Sequence, residues 1–214
     1  MCIRDSHDVA RNLSLLSGEI SIEALDKQLR LFPPEKTEVS QEVHNVLSRI
    51  DHYAVLVPGS AWNTKMWPWQ GYQEVAKHLL EKGFQVVLLG APSEKPVNEK
   101  VAQGLDVINL AGKTTVSDAM YVIHKAGLVV CNDSMALHLA STFKVPNVAI
   151  FCSTSPAFGF GPWQNNAIVV EREDLDCKPC APHGGQKCPT GTDACMQGLA
   201  PERVIGAVEK LLNL

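Results

Sequence analysis

The sequence predicts an α/β protein built on a doubly wound parallel sheet. Three observations predict it. From Tyr53 onward, strand-like and helix-like stretches alternate, the pattern of a parallel sheet whose crossovers are helices. Stretches such as "FQVVLLG" (84–90) and "LVVCND" (128–133) are apolar runs rather than alternations, as strands covered on both faces require. The helix-like stretches stop at glycine, as at Gly83 and Gly127, the residue that most easily takes the left-handed turn past a helix end.

Each element can be justified in order. "YAVLVPG" reads as a strand ending in a Pro-Gly turn. "WQGYQEVAKHLLEKG" places Tyr72, Val75, Ala76, Leu79 and Leu80 on one helical face. Then come the strand "FQVVLLG", the short helix "PVNEKVAQGL", the strand "DVINLAG" and the helix "TVSDAMYVIHKAG". "LVVCND" is a strand that passes directly into the helix "SMALHLASTFK". "VPNVAIF" and "NAIVVE" are further strands, and "APERVIGAVEKLLNL" is a closing amphipathic helix with Pro201 in its first turn. Residues 53–214 therefore read as one complete α/β domain. Residues 7–52 hold a helix stopping at Gly18, a Pro-Pro break and a second polar helix. They read as the tail of a missing N-terminal domain plus a linker. "MCIRDS" (1–6) fits poorly with the residues after it and reads as an extraneous leader.

Composition narrows the function classes. A net charge of −4 with no basic run gives no reason to expect nucleic acid. No apolar run approaches the roughly 20 residues that span a bilayer, and the N-terminus lacks the apolar core of a signal peptide. A cytoplasmic protein is the expectation.

Ligands of open parallel sheets bind beyond the carboxyl ends of the strands, so those loops carry the functional reading. They are "PGSAWNTKMWPW", "GAPSEK", "AGKTT", "NDS" and "FCSTSPAFGFGPW", each rich in Gly, Ser, Thr or charge. Together they suit a polar, phosphate-bearing ligand. Lys65 offers a point charge to a phosphate. Ser60, Thr64 and Ser134 offer hydroxyls, and Glu94 can accept from the two hydroxyls of a ribose. Asp133 and Ser134 admit two readings: a cap on the helix they precede, or an anion site on its open N–H groups. His138 suits a satisfied core position as well as a ligand role, and Trp62, Trp67 and Trp69 suit packing. "AGKTT" lacks the glycine spacing of a P-loop.

Three longer stretches carry a resemblance. "PGSAWNTKMWPWQGYQEVA", "NLAGKTTVSDAMYVIHKAGLVVCNDSMALHLA" and "VPNVAIFCSTSPAFGFGPW" resemble the C-terminal domain of glycosyltransferase family 9, the ADP-heptose:lipopolysaccharide heptosyltransferases and relatives. The resemblance covers residues 53–214, with 7–50 similar to the interdomain segment. It implies the C-terminal half of a GT-B glycosyltransferase, a Rossmann-like domain that binds an ADP-sugar donor. The acceptor, a lipopolysaccharide core or related glycan, and the catalytic base would belong to the N-terminal domain, so this fragment is expected to be inactive alone. It further implies that Ser60, Thr64 and Lys65 meet the donor diphosphate and sugar, that Glu94 meets the ribose, and that the adenine packs at Thr115 and Val116. Asp133 and Ser134 match the strand-end motif at the diphosphate and sugar, and His138 its helical histidine. Met135 stands where the family usually has glycine. No metal is required for the transfer, and the full-length protein is expected in the cytoplasm or at the inner face of its membrane. A non-catalytic nucleotide-binding module and a nucleotide-sugar epimerase of similar shape are the alternatives.

Four of the seven cysteines crowd into "CKPCAPHGGQKCPTGTDACM". Cys177, Cys180, Cys188 and Cys195 have a spacing that suits a closed four-thiolate zinc site, with His183 as a substitute ligand. Reduced thiols, disulfides and an iron–sulfur site are the alternatives. Cys131 and Cys152, at strand ends, read as small buried thiols.

Overall fold

A computed structural model describes residues 7–15 and 27–214. The leader and the proposed stop at Gly18 lie outside the described residues. Eight helices and six strands occur among the described residues: α1 (Asp8–Ser14), α2 (Gln41–Leu47), β1 (Tyr53–Val57), α3 (Trp69–Glu81), β2 (Gln85–Leu88), α4 (Lys95–Ala102), β3 (Ile108–Asn109), α5 (Val116–Lys125), β4 (Leu128–Asn132), α6 (Met135–Phe143), β5 (Asn147–Phe151), β6 (Ala167–Glu171), α7 (Ala194–Gln197) and α8 (Pro201–Leu212).

The six strands form one sheet in the order β3-β2-β1-β4-β5-β6, and every pairing is parallel. β1 is central and the chain winds outward from it in both directions. The order reverses between β1 and β4, which pair through Ala54–Leu128 to Val57–Cys131. That reversal opens a crevice where the loops after β1 and β4 diverge.

Successive strand residues point to opposite faces, so each strand feeds two cores. Ala54 and Leu56 of β1, Leu128 and Val130 of β4, and Val148 and Ile150 of β5 pack against α3, α4 and α8. Tyr53, Val55, Val57, Val129, Cys131, Ala149 and Phe151 pack against α2, α5 and α6. β1, β4 and β5 are buried at every position, which is why they read as apolar runs, with only Asn132 at the end of β4 and Asn147 at the start of β5 polar. β3 is shorter than its sequence pattern suggests. Only Ile108 and Asn109 pair, with Val87 and Leu88, at the sheet edge.

Of the tryptophans, Trp67 is fully buried, donates from Nε1 to Leu199 O at 2.9 Å and meets the Tyr72 ring edge-on. Gly71 is required beneath it, since a Cβ there would stand 2.2 Å from the indole. α1 docks on the loop after β5. Asp8 N–H donates to Gly159 O at 2.8 Å, Arg11 donates to Phe158 O, and the His7 ring lies against Trp163 with centroids 4.2 Å apart and planes tilted by 31°.

Candidate donor-binding site

A cleft of about 510 Å³ lies at the carboxyl edge of the sheet, over the β1/β4 crevice. Ser60, Lys65, Glu94, Thr115, Val116, Asp133 and Ser134 all line it. Seven residues from four separate loops thus meet as the sequence predicts. One end is polar, around Lys65, Asp133 and Ser134. The other is apolar, built from Leu89, Ala91, Pro92, Val116, Ala119 and Ile123.

At the polar end Lys65 Nζ lies 2.6 Å from Asp133 Oδ2, and both side chains are nearly buried. Thr154 donates its hydroxyl to the same carboxylate oxygen at 2.8 Å. A buried pair of this kind holds its members only with good geometry and further hydrogen bonds, and Thr154 supplies one. Asp133 is therefore not a cap. Ser134 occupies the N-cap position of α6, but no side chain caps that helix, and Ser134 Oγ is buried without a hydrogen-bond partner. The first N–H groups of a helix have no partner inside it. Here they carry the positive end of the α6 dipole to the cleft, and Met135 and Ala136 line that wall. An uncapped helix start, an orphan hydroxyl and a lysine line one end of the cleft, groups with the chemistry to hold a phosphate oxygen. Capping, the plainer reading of these residues, is not what the side chains do.

Glu94 folds back in a single turn and accepts from Ala91 N–H at 2.8 Å. Its side chain covers Gly59, where an added Cβ would stand 2.3 Å from the carboxyl carbon. Thr115 lines the cleft, yet its hydroxyl is committed to Asp118, donating to Oδ2 at 2.9 Å and accepting from Asp118 N–H at 3.1 Å. Asp118 also receives Ser40 N–H at 2.7 Å. Burial pushes the Asp118 carboxyl up, but the N–H groups of Ser40 and Thr115 and the Thr115 hydroxyl outweigh it and hold the carboxyl below its usual range.

Two of the proposed contacts do not line the cleft. Thr64 is 3% exposed and faces the opposite way. Its Oγ1 accepts from Gly185 N–H at 2.8 Å and from Ser153 Oγ at 2.9 Å, and its own N–H donates to Gly185 O. Thr64 therefore anchors the loop. His138 lies one turn into α6, half-buried beside α1. Burial pushes its imidazole down; Asp133 and Asp8 raise it, while His7 and Lys65 lower it. The net direction is downward, which favours the neutral ring.

Three residues outside the predicted donor contacts also matter. Trp62 and Met135, 41% and 55% exposed, line the cleft with exposed Val116, leaving apolar surface for a flat ring. Asn132 is fully buried at the end of β4. Its signal in the sequence is a carboxamide closing an apolar run.

The four clustered thiols influence one another electrostatically: Cys180 feels Cys177 and Cys188, and Cys195 feels all three. The structure does not draw them into a tetrahedral set. Cys180 Sγ bonds to Cys177 O, Cys188 Sγ to Thr190 Oγ1, and Cys195 is packed in the core. The His183 ring is turned toward Phe160, 6.0 Å away. Among the described residues no three His, Cys, Asp or Glu are arranged to hold a metal ion. Cys131 and Cys152 are buried thiols as expected, and burial pushes Cys131 up to about 12.

The strand order and the crevice at its reversal define a Rossmann-like α/β domain of the kind found in GT-B glycosyltransferases. The particular family emerges from comparison with known proteins. The model of glycosyltransferase family 9 (heptosyltransferase) matches residues 3–187, and the chain belongs to that family. It is 28% identical over 215 residues to lipooligosaccharide heptosyltransferase 2 of Campylobacter jejuni, covering 97% of this chain and 65% of that protein. It is 33% identical over 120 residues to lipopolysaccharide heptosyltransferase 2 of Escherichia coli, covering 53% of this chain and 34% of the relative. The solved E. coli ADP-heptose lipopolysaccharide heptosyltransferase II superposes with a TM-score of 0.69 at 26% identity, covering 88% of this chain and 54% of the other. A family 9 glycosyltransferase from Veillonella parvula shares the fold, with a TM-score of 0.80 at 23% identity over 100% of this chain and 62% of its own. The chain thus spans about two thirds of the length of the Campylobacter relative. Family membership leaves the epimerase alternative less supported. Among the described residues no helix is long and apolar enough to cross a membrane.

Proposed function

We propose that this chain is the donor-binding half of an inverting glycosyltransferase that moves a heptose from ADP-heptose to a lipopolysaccharide core acceptor. The observation that carries the reading is the Lys65–Asp133 pair at the uncapped start of α6. Lys65 and the α6 N–H groups bind the diphosphate oxygens. Asp133, which can only accept, suits a sugar hydroxyl rather than a phosphate. Glu94 takes the ribose hydroxyls, and the adenine lies against Val116 and Ala119. As the bond from the anomeric carbon to the diphosphate breaks, charge grows on the leaving oxygen, where preorganised donors stabilise it most. Lys65 and the helix dipole supply that stabilisation, and the proposal includes no metal ion. The base that deprotonates the acceptor hydroxyl belongs to the acceptor-binding domain. The setting proposed is the cytoplasm, at the inner face of the membrane where the acceptor glycolipid is presented.

The test has two arms. Calorimetric titration is expected to show binding of ADP and ADP-heptose in preference to UDP. A transfer assay with ADP-heptose and a lipopolysaccharide core acceptor is expected to give product only when the acceptor-binding domain is supplied. No ADP binding at millimolar concentration overturns the donor-site reading. Robust transfer by this chain alone overturns the assignment of the base to another domain.

A further inference from the structure

The loop that carries Ser60, Trp62 and Lys65 leaves the sheet at Pro58 and rejoins a helix through Trp67. Both ends are held by the side chain of Asn132. Its Nδ2 donates to Pro58 O at 2.8 Å and to Gly59 O at 3.3 Å, and its Oδ1 accepts from Trp67 N–H at 3.1 Å. Asn132 is fully buried, so these bonds are shielded from water and their loss would leave buried groups unpaired. The partners fix the orientation of the amide. Turned over, it would set NH₂ against the Trp67 N–H and oxygen against two carbonyls. A carboxamide supplies both donor and acceptor, as this clasp needs. A carboxylate supplies only the acceptor.

Asn132 is also the residue before Asp133, the partner of Lys65. One strand end therefore fixes the distance between Lys65 and its counterion twice: through the backbone to Asp133, and through the Asn132 amide to the loop that bears Lys65. We infer that Asn132 is a positioning residue, which holds the residue 59–66 loop closed so that the Lys65 ammonium is preorganised at the start of α6. The inference rests on the donor-binding reading of that cleft. Preorganisation of this kind raises affinity by removing an ordering cost that binding would otherwise meet.

Two measurements on the full chain test it. The first needs no ligand. Amide hydrogen exchange is followed at Thr64, Lys65, Met66 and Trp67, whose N–H groups are bonded to Gly185 O, Trp62 O, Asn63 O and Asn132 Oδ1. In Asn132→Ala these amides are expected to exchange at least about tenfold faster, while Val148–Ile150 of β5 keep their rates. Unchanged exchange at the four amides overturns the clasp. The second is a double-mutant cycle read by ADP titration. Asn132→Ala is expected to weaken ADP binding about tenfold when Lys65 is present, and to have little effect in Lys65→Ala. Equal losses in both backgrounds mean that Asn132 does not act through Lys65, and overturn the positioning role. Asn132→Ser, which keeps one hydroxyl, carries both measurements if Asn132→Ala does not fold. If the unmutated chain binds no ADP, the donor reading fails, and the positioning role for a donor fails with it. The exchange result still decides whether the loop is clasped.

Discussion

α5 and α6 start in the same way and are finished differently. Each follows a strand, each has a hydroxyl residue at its N-cap, and both starts line one cleft. At α5 the hydroxyl of Thr115 and the carboxylate of Asp118 bond one another's backbone N–H groups in a closed box. At α6 Ser134 Oγ bonds nothing, and the preceding carboxylate turns away to Lys65. The difference lies three residues beyond the cap. A capping box needs an acidic or amide side chain there; α5 has Asp118 and α6 has Leu137. The first helix start is closed by its own sequence and serves stability. The second is left open, as the proposed donor site requires.

Substitutions at the two starts should separate these roles, and the largest effect is expected at the open one. Lys65→Ala removes a charge-assisted contact worth about 1.5–3 kcal/mol, so calorimetry should show a loss of ADP affinity of roughly tenfold or more. Lys65→Arg should lose much less, and equal affinity for Lys65→Ala and the unmutated chain would remove Lys65 from the site. Thr115→Ala should behave in the opposite way. Loss of a cap costs about 1 kcal/mol of stability, visible as a lower denaturant midpoint, with ADP affinity nearly unchanged. A large affinity loss there would break the contrast.

Ser134→Ala sharpens it further. There is no cap bond to lose, so the denaturation midpoint should stay in place. ADP affinity should fall only by the value of one neutral hydrogen bond, about 0.5–1.5 kcal/mol. A shifted midpoint would show that Ser134 caps α6 in solution. The smallest effect concerns acid. Asp118 has a lower pKa folded than unfolded, so its contribution is complete above the unfolded carboxylate value, about 4, and is lost as pH falls through the folded value. In Asp118→Asn the acid limb of the stability–pH curve should be correspondingly flatter. An unchanged limb would mean that Ser40 and Thr115 do not favour the charged form.

The sheet was legible because its central strands are apolar runs and helices such as α3 end at a left-handed glycine, Gly83; α6 instead ends at left-handed Lys144, which no glycine marks in the sequence. The convergence of Lys65, Glu94, Val116, Asp133 and Ser134 was legible because the carboxyl edge of such a sheet gathers its loops. Which way a side chain turns within a loop was not. Thr64 lies beside Lys65 in sequence but faces Gly185, because the single helical turn at residues 63–65 directs neighbours to different sides. Thr115 shows a second limit, since its hydroxyl reaches the cleft wall already bonded to Asp118.

The tie between Thr64 and Gly185 joins positions 121 residues apart. Gln186 adds a bond to Ala61 across 125 residues and Asn63 one back to Gln186 across 123. All six strands are complete by Glu171, so a growing chain can finish its sheet before these ties can form. Contacts between distant positions close late, because the intervening chain must be ordered first. During synthesis the loop bearing Lys65 thus emerges near the beginning of the domain and gains this anchor near its end. Full order in the loop that bears Lys65 waits for residues 185 and 186, and a ribosome-bound chain stopped short of residue 185 would have the sheet but lack this anchor.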